Sequence, residues 1–151
     1  MVYNININKT DTYNMSHCNF DNLPIEMINS IFKDGRVFSH FMEVWIAQNY
    51  GLDHVKGCKD HDLVDKNDPS IKYEVKTFTK RGCNFCPSNM LGQGRTFDNT
   101  VFVEKTKKLI FCITSNIHFP EVKIKFIHGT DLINNYPNGK IPLGDLIKFF
   151  N

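Results

Sequence analysis

The spacing of apolar residues between positions 20 and 50 predicts two consecutive helices. In the first, Asp21 or Asn22 can cap the N-terminus, and Pro24 is tolerated in the first turn. Four residues at helical spacing form its expected core stripe: Ile25, Ile28, Ile31 and Phe32. We expect this helix to contribute packing only.

The second helix has clear start and stop signals, an Asp-Gly pair at 34–35 and the segment 49–51, which ends in glycine. Six residues at helical spacing mark its expected core side: Val37, Phe38, Phe41, Val44, Trp45 and Gln48. The opposite side carries four polar residues, because residues three and four apart are neighbours on a helix: Arg36, Ser39, His40 and Glu43. This side is either an ordinary solvated face or a surface that places Glu43, together with His40, against a functional site.

Alternating and continuous apolar runs predict strands in the rest of the chain. Residues 109–114 are nearly all apolar, which is typical of a central strand buried on both faces, and residues 121–128 alternate as in a half-exposed neighbour. Within the first 19 residues, positions 2–7 alternate and predict an edge strand or an ordered arm. Residues 143–151 end the chain as a short amphipathic helix.

Two further runs, 61–65 and 71–79, read as adjacent antiparallel strands, because the intervening segment 66–70 is rich in turn residues. The second run places Glu74 and Lys76 on one face and its apolar residues on the other. With the turn centred near position 69, Asp62 lies across from Lys76 and diagonal to Glu74. Two carboxylates and an ammonium group then converge, a grouping that suits metal-assisted phosphodiester hydrolysis. The alternative is a solvated strand face on which Glu74 and Lys76 are merely exposed.

A competing motif overlaps this hairpin. The segments Cys58-x-x-His61 and Cys83-x-x-Cys86 have the spacing of paired zinc ligands, and the hairpin would bring them near each other. A structural zinc site with three cysteines and one histidine is therefore conceivable, with unmetallated thiols as the alternative.

The segment from 80 to 95 has the composition of a ligand-binding loop. Its basic residues could contact phosphates, namely Lys80, Arg81 and Arg95. Its polar residues could reach base edges, namely Ser88, Asn89 and Gln93. The alternative is an ordinary polar connector.

Composition sets the outer limits. A chain of 151 residues and 17.5 kDa fits one domain, residues 1–151, with a continuous core. The net charge of +2 is compatible with a local nucleic-acid-binding patch but does not by itself indicate one. No apolar run is long enough to cross a bilayer. The chain has five cysteines, an odd number that does not favour a disulfide framework. We therefore expect a protein without a membrane partner and with reduced thiols, in the cytoplasm of a bacterial, phage-infected or virus-infected cell.

The order of these parts resembles the PD-(D/E)xK nuclease superfamily, the fold of type II restriction endonucleases. A helix with Glu43 is followed by Asp62, then by Glu74-Val75-Lys76, then by an apolar strand, over roughly residues 34–128. The sequence departs from the family pattern in having His61 where the proline stands, and Asp60 and Asp65 are rivals of Asp62.

The resemblance implies an α/β fold with a restriction-endonuclease-like core, a mixed central sheet flanked by helices. It implies that Asp62 and Glu74, with the Val75 carbonyl, bind Mg²⁺, for which Mn²⁺ would substitute. It implies that Lys76 positions or helps to deprotonate the attacking water, and that Glu43 supports a second metal ion or an outer water.

On this basis we expect a restriction-type endonuclease that cuts double-stranded DNA at a specific sequence and acts as a homodimer or larger homo-oligomer. Three alternatives remain open. They are a homing or other selfish-element endonuclease of the same fold, a non-catalytic zinc-stabilised nucleic-acid-binding module, and a catalytically inactive interaction protein.

Overall fold

The structure, a computed structural model, describes residues 2–17, 20–57, 61–86 and 98–151. Its strands are β1 (Thr10–Asn14), β2 (Leu52–His54), β3 (Leu63–Asp65), β4 (Lys72–Phe78), β5 (Cys83–Asn84), β6 (Leu109–Ser115), β7 (Glu121–His128) and β8 (Lys140–Ile141). Its helices are α1 (Ile25–Phe32), α2 (Gly35–Tyr50), α3 (Asn99–Lys107), α4 (Gly129–Asn135) and α5 (Leu146–Phe149). None of these helices is long and apolar enough to cross a membrane.

The larger sheet is mixed, in the order β1-β7-β6-β4-β3-β2. Strands β4 and β6 are parallel, and the other neighbours are antiparallel. A parallel pair needs a long crossover, and α3 lies in the segment that connects β4 to β6. A second sheet pairs β5 with β8. The prediction of an α/β fold with a mixed, helix-flanked sheet is therefore confirmed.

Two apolar clusters cover the faces of the larger sheet. The first packs Phe38 and Met42 of α2 with Val75 of β4. The second contains Phe111 of β6 and Phe102 of α3. Because successive side chains of a strand point to opposite faces, β6 contributes to both clusters.

The second helix begins and ends where the sequence predicted. Asp34 caps its N-terminus by accepting a hydrogen bond from the Arg36 N–H, and Gly51 ends it with a φ of 67°. Its core side is rotated from the predicted one, however, since Val37 and Val44 are exposed and Gln48 also faces solvent. The core instead takes five residues of the helix: Phe38, Met42, Ile46, Ala47 and Tyr50.

The first helix departs further from its prediction. It is capped by Pro24, which offers no side-chain hydrogen bond, and not by Asp21 or Asn22. Only Ile28 and Phe32 of the predicted stripe are buried.

The predicted strands over 109–114 and 121–128 are confirmed as β6 and β7, which pair with each other. Residues 2–7 are not a strand but an ordered arm, the other predicted form: the Tyr3 N–H donates to the Asn49 carbonyl, and Ile5 and Ile7 pack against the first cluster. The edge strand near the N-terminus is β1 at Thr10–Asn14. The C-terminal helix begins as a 3₁₀ turn, Leu143–Asp145, before α5.

Candidate functional site

The site lies where β3 and β4 stop pairing. Their ladder runs only from Val64 opposite Lys72 to Leu63 opposite Tyr73. Beyond it, the Asp62 N–H donates to the Tyr73 carbonyl at 3.0 Å, and the Asp62 carboxylate accepts from the Val75 N–H at 2.9 Å. The Asp62 carboxylate thus accepts a hydrogen bond from the β4 edge at a point where a partner strand would otherwise pair.

This register corrects one prediction. The hairpin is centred one residue earlier than expected, at Asp68, so that Asp62 stands opposite Glu74 and not opposite Lys76. The shift arises from the turn, in which Asp65 accepts backbone hydrogen bonds from Asn67 and Asp68. The face shared by Asp62 and Glu74 is unchanged.

The same contacts separate Asp62 from one rival. Asp65 pairs with Leu52 of β2 and uses its carboxylate in the turn, away from the open part of β4. Asp60, the other rival, lies outside the described residues.

Glu74 and Lys76 form a buried ion pair. Lys76 Nζ lies 3.2 Å from Glu74 Oε1, and the Glu74 side chain is only 9% exposed. Burial raises the pKa of Glu74 to about 7; Lys76 opposes this rise, whereas the Asp62 and Glu43 charges add to it. The carboxyl is therefore held in a setting where an additional cation would be favourable.

A second copy of the Glu-Val-Lys motif in the chain allows the two environments to be compared. The tripeptide Glu-Val-Lys occurs a second time, as Glu121-Val122-Lys123 of β7. There Glu121 is 50% exposed and lies 3.8 Å from Lys123, as expected of a solvated strand face. At Glu121, β7 pairs with β1 alone, because its ladder with β6 ends at Lys123, so a missing partner on one side is common to Glu121 and Glu74. The burial of the side chain, and not the tripeptide, therefore distinguishes the site at Glu74.

Glu43 reaches this region from α2. Burial raises its pKa; the hydrogen bond from His54 opposes the rise, and the Asp62 charge adds to it. His54 Nε2 lies 3.0 Å from Glu43 Oε2, while His40 Nδ1 is 3.9 Å away and His40 is largely exposed. The structure thus brings Glu43 within electrostatic reach of Asp62 and Glu74, as predicted.

His54 was not singled out from the sequence. It ends the edge strand β2, opposite Leu63, the neighbour of Asp62. A histidine between two short segments carries no periodic signal, and only the pairing of β2 with β3 brings it to Glu43.

The oxygen atoms at this edge suit Mg²⁺, a hard cation that prefers oxygen ligands and commonly uses one or two carboxylates with water. The two carboxylates are those of Asp62 and Glu74. The Val75 carbonyl points to the same side as the Val75 N–H, which donates to Asp62, because both groups of one strand residue face the same neighbour. Among the described residues, no three His, Cys, Asp or Glu side chains are grouped closely enough to hold a metal ion by themselves. A site here would consist of two carboxylates and a backbone carbonyl.

These residues line a cleft of about 1410 Å³ between the start of α2 and the end of β4. The two elements are joined by a hydrogen bond between the Ser39 and Thr77 hydroxyl groups. Four carboxylate residues lie on its lining, namely Asp34, Glu43, Asp62 and Glu74. The lining also has six cationic residues: Lys33, Arg36, Lys76, Lys80, Arg81 and Lys140.

The predicted DNA-contacting loop is described only at its beginning. Lys80 and Arg81 are exposed in the tight turn between β4 and β5 and line the cleft. Ser88, Asn89, Gln93 and Arg95 lie outside the described residues.

The cysteine motif is described in part, since Cys58 lies outside the described residues. Cys83 is fully buried in the second cluster, and burial raises the pKa of its thiol to about 12. Burial also raises the pKa of the half-buried Cys86. Both shifts favour the neutral thiols, whose protons a bound zinc ion would displace. His61, the histidine of the motif, lies among the described residues.

No protein-family model, curated protein or solved structure matches the chain.

Proposed function

We propose that the chain is a magnesium-dependent endonuclease that hydrolyses phosphodiester bonds of DNA in this cleft. The observation that carries the proposal is the convergence of Asp62, Glu74 and Lys76 at the open edge of β4, with Glu43 nearby. The exposed copy of the same tripeptide on β7 makes an incidental surface pair a poor explanation of the buried one.

Asp62, Glu74 and the Val75 carbonyl would hold Mg²⁺, which when bound activates water and offsets negative charge on the scissile phosphate. Asp62 is fixed for this role because one of its oxygens is held by the Val75 N–H at 2.9 Å. Glu74 is fixed by its burial and by Lys76.

Lys76 is proposed to orient the attacking water and, through its positive charge, to stabilise the hydroxide left when that water loses its proton to solvent. Its side chain is 20% exposed and lines the cleft, while its ammonium group contacts Glu74 at 3.2 Å. Glu43, held by His54, would position an outer water or support a second cation.

The substrate is proposed to be double-stranded DNA, cut at a specific sequence as restriction enzymes cut it. One chain carries one such cluster, and the strands of a duplex run in opposite directions. Two chains related by a two-fold axis would present one cluster to each strand. A homodimer is therefore part of the proposal.

The experiment is incubation of the purified protein with a broad set of phage and plasmid DNAs, with Mg²⁺ or with EDTA. Lys76→Ala and Glu74→Ala should each reduce cutting by about 100-fold or more, since positioned proton transfer and metal chemistry contribute at least that much. Lys123→Ala is the matched control, because it removes the lysine of the exposed tripeptide. Equal cutting by wild type, Lys76→Ala and Glu74→Ala, or none by wild type on any DNA, would refute the proposal.

A further inference from the structure

Besides Lys76, the cations that line the cleft come from three separate parts of the chain. Lys33 and Arg36 flank the start of α2, Lys80 and Arg81 form the tip of the β4–β5 turn, and Lys140 begins β8. The loop over 80–95 predicted only the second of these groups. The first and third, Lys33, Arg36 and Lys140, are called the second wall below.

Specific contacts bring the three groups to one cleft. Gly35 sits so close to the β4–β5 turn that a Cβ there would lie 3.0 Å from Thr79 Cγ2. On the other side, β5 pairs with β8, and Asn84 stands opposite Lys140. The start of α2, the turn and β8 are therefore fixed around the same opening.

The second wall is poorly neutralised by the protein itself. Among the described residues, only Arg36 of the three has an ion pair, with Asp34 at 3.7 Å, and its side chain is 94% exposed. Like charges gathered at one opening repel one another, and a polyanion relieves this repulsion.

The start of α2 adds to the same field. This helix has 16 residues, and its N-terminus, which carries the positive end of the helix dipole, lines the cleft at Asp34 and Gly35. The cationic side chains and the helix end thus act in the same direction at the mouth of a cleft whose lining also carries four carboxylates, one of them the capping Asp34.

We propose that Lys33, Arg36 and Lys140 bind backbone phosphates of the nucleic-acid strand that crosses the cleft, together with Lys80 and Arg81. The strand is held at several points around the cleft, with the phosphate to be cleaved directed to Asp62, Glu74 and Lys76. This inference deepens the proposed function and rests on it for the identity of the polyanion.

Binding in EDTA tests the proposal without requiring cleavage. The association constant of the full chain for a fluorescent 20-base-pair duplex of mixed sequence is measured over a series of salt concentrations. For Lys33→Gln, Arg36→Gln and Lys140→Gln combined, the slope of log K against log salt should become shallower by about 2–3, since each phosphate contact contributes about 0.9. The matched control combines Lys107→Gln, Lys108→Gln and Lys148→Gln, which removes the same charge from exposed residues outside the cleft lining. Its slope should equal that of the wild type.

Equal slopes in the wild type and the cleft variant would overturn the proposal, as would equal losses in the two triple variants or no binding by the wild type. Its failure is distinguishable from that of the proposed function. Phosphate binding through the second wall with no Mg²⁺-dependent cutting would refute the nuclease alone, and cutting with no contribution of the second wall would refute this inference alone. Thermal unfolding of both variants verifies that they are folded.

Discussion

At the scale of single residues, Glu74 has the most unusual environment at the site. A carboxyl with a raised pKa keeps a proton between about pH 4.5 and 7 that the unfolded chain has already released. The folded state is therefore progressively destabilised as the pH rises through this window, and the full cost applies above pH 7.

Glu74→Gln should accordingly stabilise the metal-free protein at pH 8 by about 3 kcal/mol, since one pKa unit corresponds to about 1.4 kcal/mol. At pH 4.5 the gain should largely vanish, because the wild-type carboxyl is then protonated in the folded state. Urea unfolding in EDTA at both pH values measures the difference. Glu121→Gln, at the exposed copy of the tripeptide, should show no comparable gain. An equal gain at both pH values would contradict the assignment.

His54 is the second residue whose role the structure makes testable. Burial raises the pKa of Glu43, and the hydrogen bond from His54 opposes this rise and fixes the carboxylate at 3.0 Å. His54→Phe removes the bond and should reduce Mg²⁺-dependent cutting by about 10-fold, the lower end of the range for outer-shell partners.

His54→Asn, which keeps a donor, should recover part of this loss, and His40→Asn should matter less, because His40 is 3.9 Å from Glu43 and 76% exposed. Single-turnover rates of the three variants provide the comparison. A loss as large in His40→Asn as in His54→Phe would argue against a specific role of His54.

At the scale of elements, the reliability of sequence prediction followed the strength of local signals. Helix α2 was delimited correctly because a capping aspartate and a left-handed glycine act locally. Its buried side was misjudged because Val37 and Val44 follow helical spacing, although no element covers them. Helix α4 was not predicted, since seven residues give too little periodicity to read.

The residues of the candidate site could be predicted from the sequence, but their arrangement could not. Glu74, Lys76 and Asp62 stand out as charges in predicted strands, but their register depends on a turn whose centre was misplaced by one residue. His54 and Lys140 depend on pairings between distant segments, β2 with β3 and β5 with β8, which no local pattern encodes.

The β4–β5 turn offers a prediction at this scale. Gly82 has a φ of 87°, and a Cβ there would lie 2.5 Å from the Ile141 carbonyl oxygen. Gly57 has a similar φ of 95°, but a Cβ there would meet nothing within 4 Å among the described residues. Gly57→Ala should therefore cost only the backbone strain, about 1–2 kcal/mol.

Gly82→Ala should lower the free energy of unfolding clearly more than Gly57→Ala does, because β8 must also move. The difference between the two, measured by urea unfolding, isolates the clash. Equal costs would mean that the turn and β8 separate easily.

At the scale of the whole molecule, β6 links the two apolar clusters, with Cys112 in one and Phe111 and Ile113 in the other. We therefore expect one cooperative unfolding transition. Ile113→Val, in the second cluster, should lower the free energy of unfolding by about 0.5–1.5 kcal/mol.

The shift should be the same by far-UV circular dichroism and by the fluorescence of Trp45, the only tryptophan, which packs against the first cluster. Ile147→Val, at an 83% exposed position, serves as the control. Separate transitions by the two probes would show that the faces of the sheet unfold independently.

The open edge of β4 has a consequence for colloidal behaviour. Beyond Tyr73, the described part of the strand has no β-partner on its β3 side, and an unpaired edge is a template on which a strand of another molecule can add. An added strand would have to cover Glu74 and Lys76, and inward-pointing charges make such addition costly. The pair proposed to cut DNA would thereby also keep separate molecules from joining edge to edge, so that selection for solubility and selection for chemistry would act on the same two side chains.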